Sequence, residues 1–259
     1  MADRTLTVED ADRLLDTTVV FPDINAAFQR LQPITNFRKD DTEARILYIC
    51  RRVALGDAVA DSGVDQGSEG DLYILKCKVQ APSQLAGGLV DPIEGPSSHT
   101  LDELKALKIF ADTDSPSLPH LISWKTAVQG ADGPMPGGYI AYVVMTRMPG
   151  LDLLELKFWS MPEDLQEEIR KRFLVAIKHI WRLGFQPYDC ALRNILWESD
   201  TRTLSIVDFE HYRPATKDPI NMNEREEMTK WGILKQPLPQ FHWQAWRQAE
   251  DLSGFPEKW

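Results

Sequence analysis

The chain is short of the features that mark several function classes. It has only three cysteines, Cys50, Cys77 and Cys190, far apart and without C-x-x-C spacing, which points to neither a disulfide framework nor a zinc site. Cys190 directly follows Asp189, and a small buried hydrophobe is the expected role there rather than a reactive thiol. Its five histidines are scattered with no H-x-x-x-H pair, so a histidine metal site is not expected and carboxylates must carry any metal. No run approaches the roughly 18 apolar residues a membrane span needs. The N-terminal "MADRTLTVEDADRLL" is acidic and lacks the apolar core of a signal peptide, so the cytoplasm is the expected location. Positive charge is also scarce: 29 Lys and Arg stand against 39 Asp and Glu, a net −10. A general grip on nucleic acid or an anionic membrane is therefore not expected.

What is present suits a folded globular protein, with 43% hydrophobic and 26% charged residues over 259 positions. That length accommodates one large domain or two lobes sharing a cleft. Residues 1–44 read as amphipathic helical pieces and loops, a leader packed on the main fold, with "TVEDADRLL" offering a Thr cap before acidic first-turn residues. "ARILYICRRVAL" and "LYILKCKV" read as two strands of a hairpin joined by a Gly-, Asp- and Ser-rich loop. Leu101, Leu104, Leu107 and Phe110 recur at helical spacing, predicting a helix near 99–111. "SLPHLISWKTAV" and "GYIAYVVMTRM" predict two more antiparallel strands. A long helix follows over 162–183, striped by Leu165, Ile169, Phe173, Ala176 and Ile180 and stopped by Gly184. The expected class is α+β: a strand-rich first half with one main helix, then a helix-rich half carrying one small hairpin.

The chemistry concentrates in "FQPYDCALRNILWESDTRTLSIVDFEHYRP", residues 185–214. "ILW" and "LSIVDF" predict short strands around the turn "ESDTRT". A hairpin returns its outer ends to one place, so Asp208 should come close to Asn194 and Asp189. Hard oxygen ligands suit magnesium, which takes one or two carboxylates and fills its shell with water and substrate phosphate. A nucleotide also needs a cation on its phosphates. Lys76 is a candidate, with Glu103 of the following helix to hold it. Each residue has a plainer reading: Asp189 and Asn194 as turn residues, Glu103 as a helix-surface carboxylate, and Lys76 as a strand lysine with Lys78 as its same-face rival.

The ordered set resembles the protein-kinase-like superfamily, closest to the aminoglycoside phosphotransferase and choline kinase branch and to compact fungal proteins of that type. "YDCALRNIL" resembles the catalytic loop, "IVDFEHY" the metal-binding turn, "YILKCKV" the phosphate-lysine strand, "ELKALKIF" the helix that supplies its partner, and "YVVMTRMPG" the linker strand. The resemblance covers about residues 45–215 and is specific at the catalytic loop and the D-F-E turn. It implies a bilobal fold: the leader, an N-lobe over 45–148 with an antiparallel nucleotide-binding sheet, and a reduced helical C-lobe over 149–259. It implies ATP and Mg2+ as cofactors and a small-molecule acceptor as partner. Asp189 would be the catalytic base, with Arg193 supplying charge at the transferred phosphate. Asn194, Asp208 and Glu210 would hold the metal, Lys76 the α and β phosphates with Glu103 as its partner, and main-chain groups at Met145, Thr146 and Met148 the adenine.

The chain departs from the pattern at Ala191, where a Lys is usual, at Leu192 for Pro, and at Pro187 and Tyr188 before the base. Gly56, Gly63, Gly67 and Gly70 do not form G-x-G-x-x-G. The short remainder after the D-F-E turn has no A-P-E motif, so a peptide acceptor is not expected. Two functions follow. One is an ATP- and Mg-dependent phosphotransferase acting on a hydroxyl or amine of a small metabolite. The other is a pseudokinase scaffold with a protein partner. The Trp243 and Trp246 tail reads as packing rather than a ligand cage.

Overall fold

A computed structural model describes residues 7–40, 42–54, 72–82, 91–113, 115–215, 219 and 222–236. The glycine-bearing loop before Lys76 and the Trp243–Trp246 tail lie outside the described residues. The architecture is mixed α+β with an antiparallel sheet in the first half, as the strand and helix patterns predict. The chain divides into two compact units, one of Met1–Leu101 with His120–Arg147, the other of Asp102–Pro119 with Met148–Trp259.

The first unit is a seven-stranded sheet. Helix α1 (Val8–Leu14) precedes β1 (Thr18–Phe21), β2 (Ala26–Pro33), β3 (Arg38–Asp40), β4 (Glu43–Val53), β5 (Leu72–Gln80), the start of α2 (Ser98–Ala111), β6 (Leu121–Val128) and β7 (Tyr139–Thr146). The order is β1-β2-β4-β5-β7-β6, with β3 paired to the start of β4, and the strand pairs are antiparallel. Strands β4 and β5 pair from Glu43↔Gln80 to Arg51↔Leu72, and β5 pairs β7 from Tyr73↔Thr146 to Val79↔Ile140. Strand β7 has paired neighbours on both sides and is buried over nearly its whole length, which its continuous run of apolar residues reflects.

The expected helical leader is a correction. Only Val8–Leu14 is helical, with Thr7 and Asp10 forming a capping box. Thr18 to Phe21 is β-branched and aromatic, and it forms a hairpin with β2 through Asn25 in the left-handed region, φ 48°. Val19, Phe21 and Phe28 are buried in the same core cluster as Ile46, Cys77 and Val144, so this segment is part of the sheet. Arg30 ties α1 down: Nε donates to Asp16 O, Nη2 to Leu15 O and Nη1 to Asp12, at 2.8–2.9 Å, satisfying carbonyls that the helix end leaves open.

The second unit takes the rest of α2, then β8 (Leu151–Asp152), α3 (Glu163–Arg182), β9 (Phe185–Pro187), β10 (Ile195–Glu198), β11 (Thr203–Ile206), β12 (Tyr212–Pro214) and α4 (Glu224–Lys230). Helix α2, expected with the sheet, counts with this unit from Asp102 onward. Its Leu104, Leu107 and Phe110 are buried while Leu101 is exposed. The Phe110 ring meets Phe185 and Phe209 edge to face at 5.3 and 4.6 Å, an arrangement aromatic pairs favour. Helix α3 buries Ile169, Phe173, Ala176 and Ile180 as its stripe predicts, and leaves Leu165 half-buried at its start.

Gly150 sits where no side chain fits. It has φ +93°, and a Cβ there would lie 2.3 Å from the Trp197 carbonyl oxygen and 2.6 Å from Glu198 N. The neighbouring residues Leu151 and Asp152 pair with Trp197 and Leu196 of β10. Gly150→Ala therefore combines left-handed strain with a backbone clash, and a loss of roughly 2–3 kcal/mol is expected in urea unfolding. An unchanged midpoint would contradict this packing.

Candidate active site

Two ladders assemble the site within the second unit. Strand β9 pairs β12 from Phe185↔Pro214 to Pro187↔Tyr212, and Tyr188 N donates to His211 O at 3.1 Å. Strand β10 pairs β11 from Glu198↔Thr203 to Ile195↔Ile206, and Val207 N donates to Asn194 O at 3.0 Å. The loop 188–194 is thus clamped at both ends against the turn 207–211. Asp208 takes φ 66°, a left-handed conformation that Asp tolerates better than most residues. Phe209 then enters the core beside Phe110.

Inside the loop, Arg193 Nη2 donates to Asp189 Oδ2 at 2.7 Å, with the two side chains 12% and 11% exposed. Asp189 Oδ1 is buried with no hydrogen-bond partner. Asn194, in the short turn Leu192–Asn194, donates from Nδ2 to the Asp189 carbonyl at 2.9 Å and so fixes the backbone there. Asp152 lies in the same electrostatic environment. Burial pushes its carboxyl above the ordinary value, against the pull of two backbone N–H donors, Glu155 and Leu154, and of Arg193. Burial also pushes the Cys190 thiol up to about 12, and its Sγ lies 3.5 Å from the Pro187 carbonyl. The thiol stays protonated at neutral pH and is no nucleophile.

The turn brings three carboxylates together. One oxygen each from Glu103, Asp208 and Glu210 lies within 4.8 Å of the others. Glu103 and Glu210 are 2% exposed and Asp208 is half-buried. Glu103 arrives through α2: it stands seven residues before Phe110, on the same helix face, and Phe110 is packed on Phe209 of the turn. The donor set fits magnesium. Carboxylate oxygens are the hard donors that magnesium takes. Asp208 and Glu210 are thus brought together, joined by Glu103, which the sequence reading assigned to the lysine. Asn194 stands beside Asp189 with its amide nitrogen already engaged.

In the first unit, Lys76 is buried on β5, opposite Leu47 of β4 and Val143 of β7. Its rival Lys78 is fully buried with Nζ 3.4 Å from Glu43 Oε1. Met145 and Thr146 end β7. The Thr146 N–H donates to His120 O at 3.0 Å and its Oγ1 accepts from His120 N at 2.8 Å, so that N–H is not offered to a base. Sequence reasoning missed Glu43, which gathers Tyr139, Ser97 and Thr100 around one carboxylate oxygen. The only local signal was the Ser97-x-x-Thr100 start of α2.

No protein-family model and no curated protein matches the chain. Among solved structures it is similar to the Cydia pomonella granulovirus kinase PK-1, with 14% identity over 72% of this chain and 55% of that one, at a TM-score of 0.41. It is also similar to Rad53 1-466 in complex with AMP-PNP, with 19% identity over 86% and 52%, at a TM-score of 0.48. The chain spans about half the length of these structures. The similarities concern the course of the chain and not its chemistry. Among the described residues no helix is long and apolar enough to cross a membrane.

Proposed function

We propose that the chain is an ATP- and Mg-dependent phosphotransferase of protein-kinase-like build that acts on a hydroxyl or amine of a small metabolite. The observation that carries the reading is the pair of ladders that clamps Asp189, with Arg193 and Asn194, against the turn bearing Asp208 and Glu210. The residues that resemble the aminoglycoside phosphotransferase and choline kinase branch, "YDCALRNIL" and "IVDFEHY", are those that line this turn and loop.

Phosphoryl transfer asks the protein for positioning and charge neutralisation rather than covalent chemistry. Asp189 presents Oδ1 to the acceptor, orients its lone pair on the γ-phosphorus and takes up its proton as the new P–O bond forms. The bond from the γ-phosphorus to the bridging oxygen breaks, and ADP leaves with the electron pair. Arg193, bound to Oδ2, holds the carboxylate in place and brings positive charge to the loop. Asp208, Glu210 and Glu103 would hold magnesium, which would supply charge neutralisation at the phosphate oxygens. Lys76 supplies the cation for the α and β phosphates, and main chain at Met145 and Met148 receives the adenine. The cytoplasm is the corresponding location.

Thermal unfolding with ATP, with and without magnesium, tests the reading. Stabilisation is expected only with both present. Nucleotide at 100 times its Kd contributes about 2.7 kcal/mol, or several degrees in Tm. ADP release on adding a hydroxyl or amine acceptor should follow. No shift at millimolar nucleotide and magnesium would sink the enzyme reading and leave a binding module.

A further inference from the structure

We propose that Asp152 is a positioning residue for the phosphoryl-transfer site, holding the Arg193 guanidinium in place against Asp189. The inference rests on the phosphotransferase reading above, and all its residues lie in the second unit. Arg193 Nη2 donates to Asp189 Oδ2 at 2.7 Å, which fixes one corner of a planar fork. Asp152 approaches from a different element. Strand β8 pairs Asp152 with Leu196 and Leu151 with Trp197, and Leu153 N donates to Ile195 O at 2.9 Å, so β8 lies along the residues that directly follow Arg193 and Asn194. Gly150 permits that approach, since a Cβ there would collide with the Trp197 carbonyl. The guanidinium therefore stands in the field of two carboxylates, Asp189 of its own loop and Asp152 of β8.

A plainer role for Asp152 is to close its own turn, because Oδ1 accepts from Leu154 N and Glu155 N, both at 2.9 Å. That role needs no charge, since an asparagine Oδ1 accepts the same two bonds. The charge is a burden there. Burial holds the Asp152 carboxyl above its ordinary value despite both N–H donors and Arg193. A folded value above the unfolded one means that the ionised side chain costs stability at neutral pH, a cost that fades as pH falls through the folded value. What the charge adds is a hold on Arg193. An arginine has many rotamers to lose, and a second anion on another strand selects the one that keeps the fork on Asp189 Oδ2 and leaves Oδ1 for the acceptor. Asp152 acts through Arg193 and not on the reacting atoms.

The test records the guanidinium nitrogen signals of Arg193 by NMR in the full chain, assigned by their loss in Arg193→Gln. A fork held on two sides turns slowly about its C–N bonds and gives separate Nη signals. The wild type is expected to show separate signals and Asp152→Asn an averaged one, with a urea midpoint no lower than that of wild type. ADP release from Mg-ATP, with water as the acceptor, should fall about tenfold at an unchanged KM for ATP. In an Arg193→Gln background Asp152→Asn should cost nothing further, as expected of a residue that acts through that arginine. Averaged signals in the wild type, or separate ones in Asp152→Asn, would overturn the positioning role. So would averaged signals with wild-type ADP release, or a failure of Asp152→Asn to fold, which would make the charge part of the turn. If the wild-type chain releases no ADP, the phosphotransferase reading fails, and the Nη signals still decide whether Asp152 holds Arg193.

Discussion

Asp189→Asn is expected to lower phosphoryl transfer by about 10²–10⁴-fold while ATP affinity stays close to wild type. The substitution keeps the shape of the side chain and removes its ability to take a proton. ATP affinity should survive because the proposal assigns Asp189 to the acceptor and the metal to Glu103, Asp208 and Glu210. Stability should fall as well, because Arg193 Nη2 loses a charged partner at 2.7 Å in a mostly buried setting. Such a loss costs on the order of 1–3 kcal/mol. Steady-state kinetics and urea unfolding on the same preparation separate the two effects. A folded variant with kcat within threefold of wild type would remove Asp189 from the role of base.

Asp208→Asn should act first on the metal. Asparagine tolerates the left-handed backbone at φ 66°, so the turn should keep its shape while the cluster loses one charge. We expect the magnesium-dependent part of the ATP thermal shift to disappear and divalent-ion affinity to drop by at least tenfold. The metal-free protein should unfold close to wild type, because asparagine tolerates the same backbone. A structural role for Asp208 predicts the reverse pattern. If the variant lost stability and kept its metal response, Asp208 would be a turn residue.

Strands β5 and β7, helix α3 and the β10–β11 hairpin were legible because each has an apolar period of its own and an unambiguous stop. The return of residue 207 to Asn194 was legible too, because a hairpin brings its ends together whatever surrounds it. Residues 18–33 were not legible as strands because Ala26–Pro33, AAFQRLQP, has no clean alternation and the capped helix Val8–Leu14 stands just ahead of them. That Glu103 stands with Asp208 and Glu210 was not legible, because spacing along a helix fixes a face and not what stands opposite. That depended on Phe110 meeting Phe209. The gathering around Glu43 was invisible because its members lie from position 43 to position 139 and meet only in the folded chain.

The β10–β11 hairpin also bears on the order in which the molecule assembles. Its strands are joined by residues 199–202 alone and closed by the Val207 bond to Asn194. Pairing so local in sequence forms on a scale of about 1–10 μs, whereas β5 must find β7 across the whole stretch between Tyr73 and Thr146, a slower search. Asn194 and Asp208 can therefore be neighbours before the rest of the fold exists. A hydrogen-exchange pulse during refolding would then protect the amides of Leu196 and Ser205 ahead of those of Leu75 and Val144.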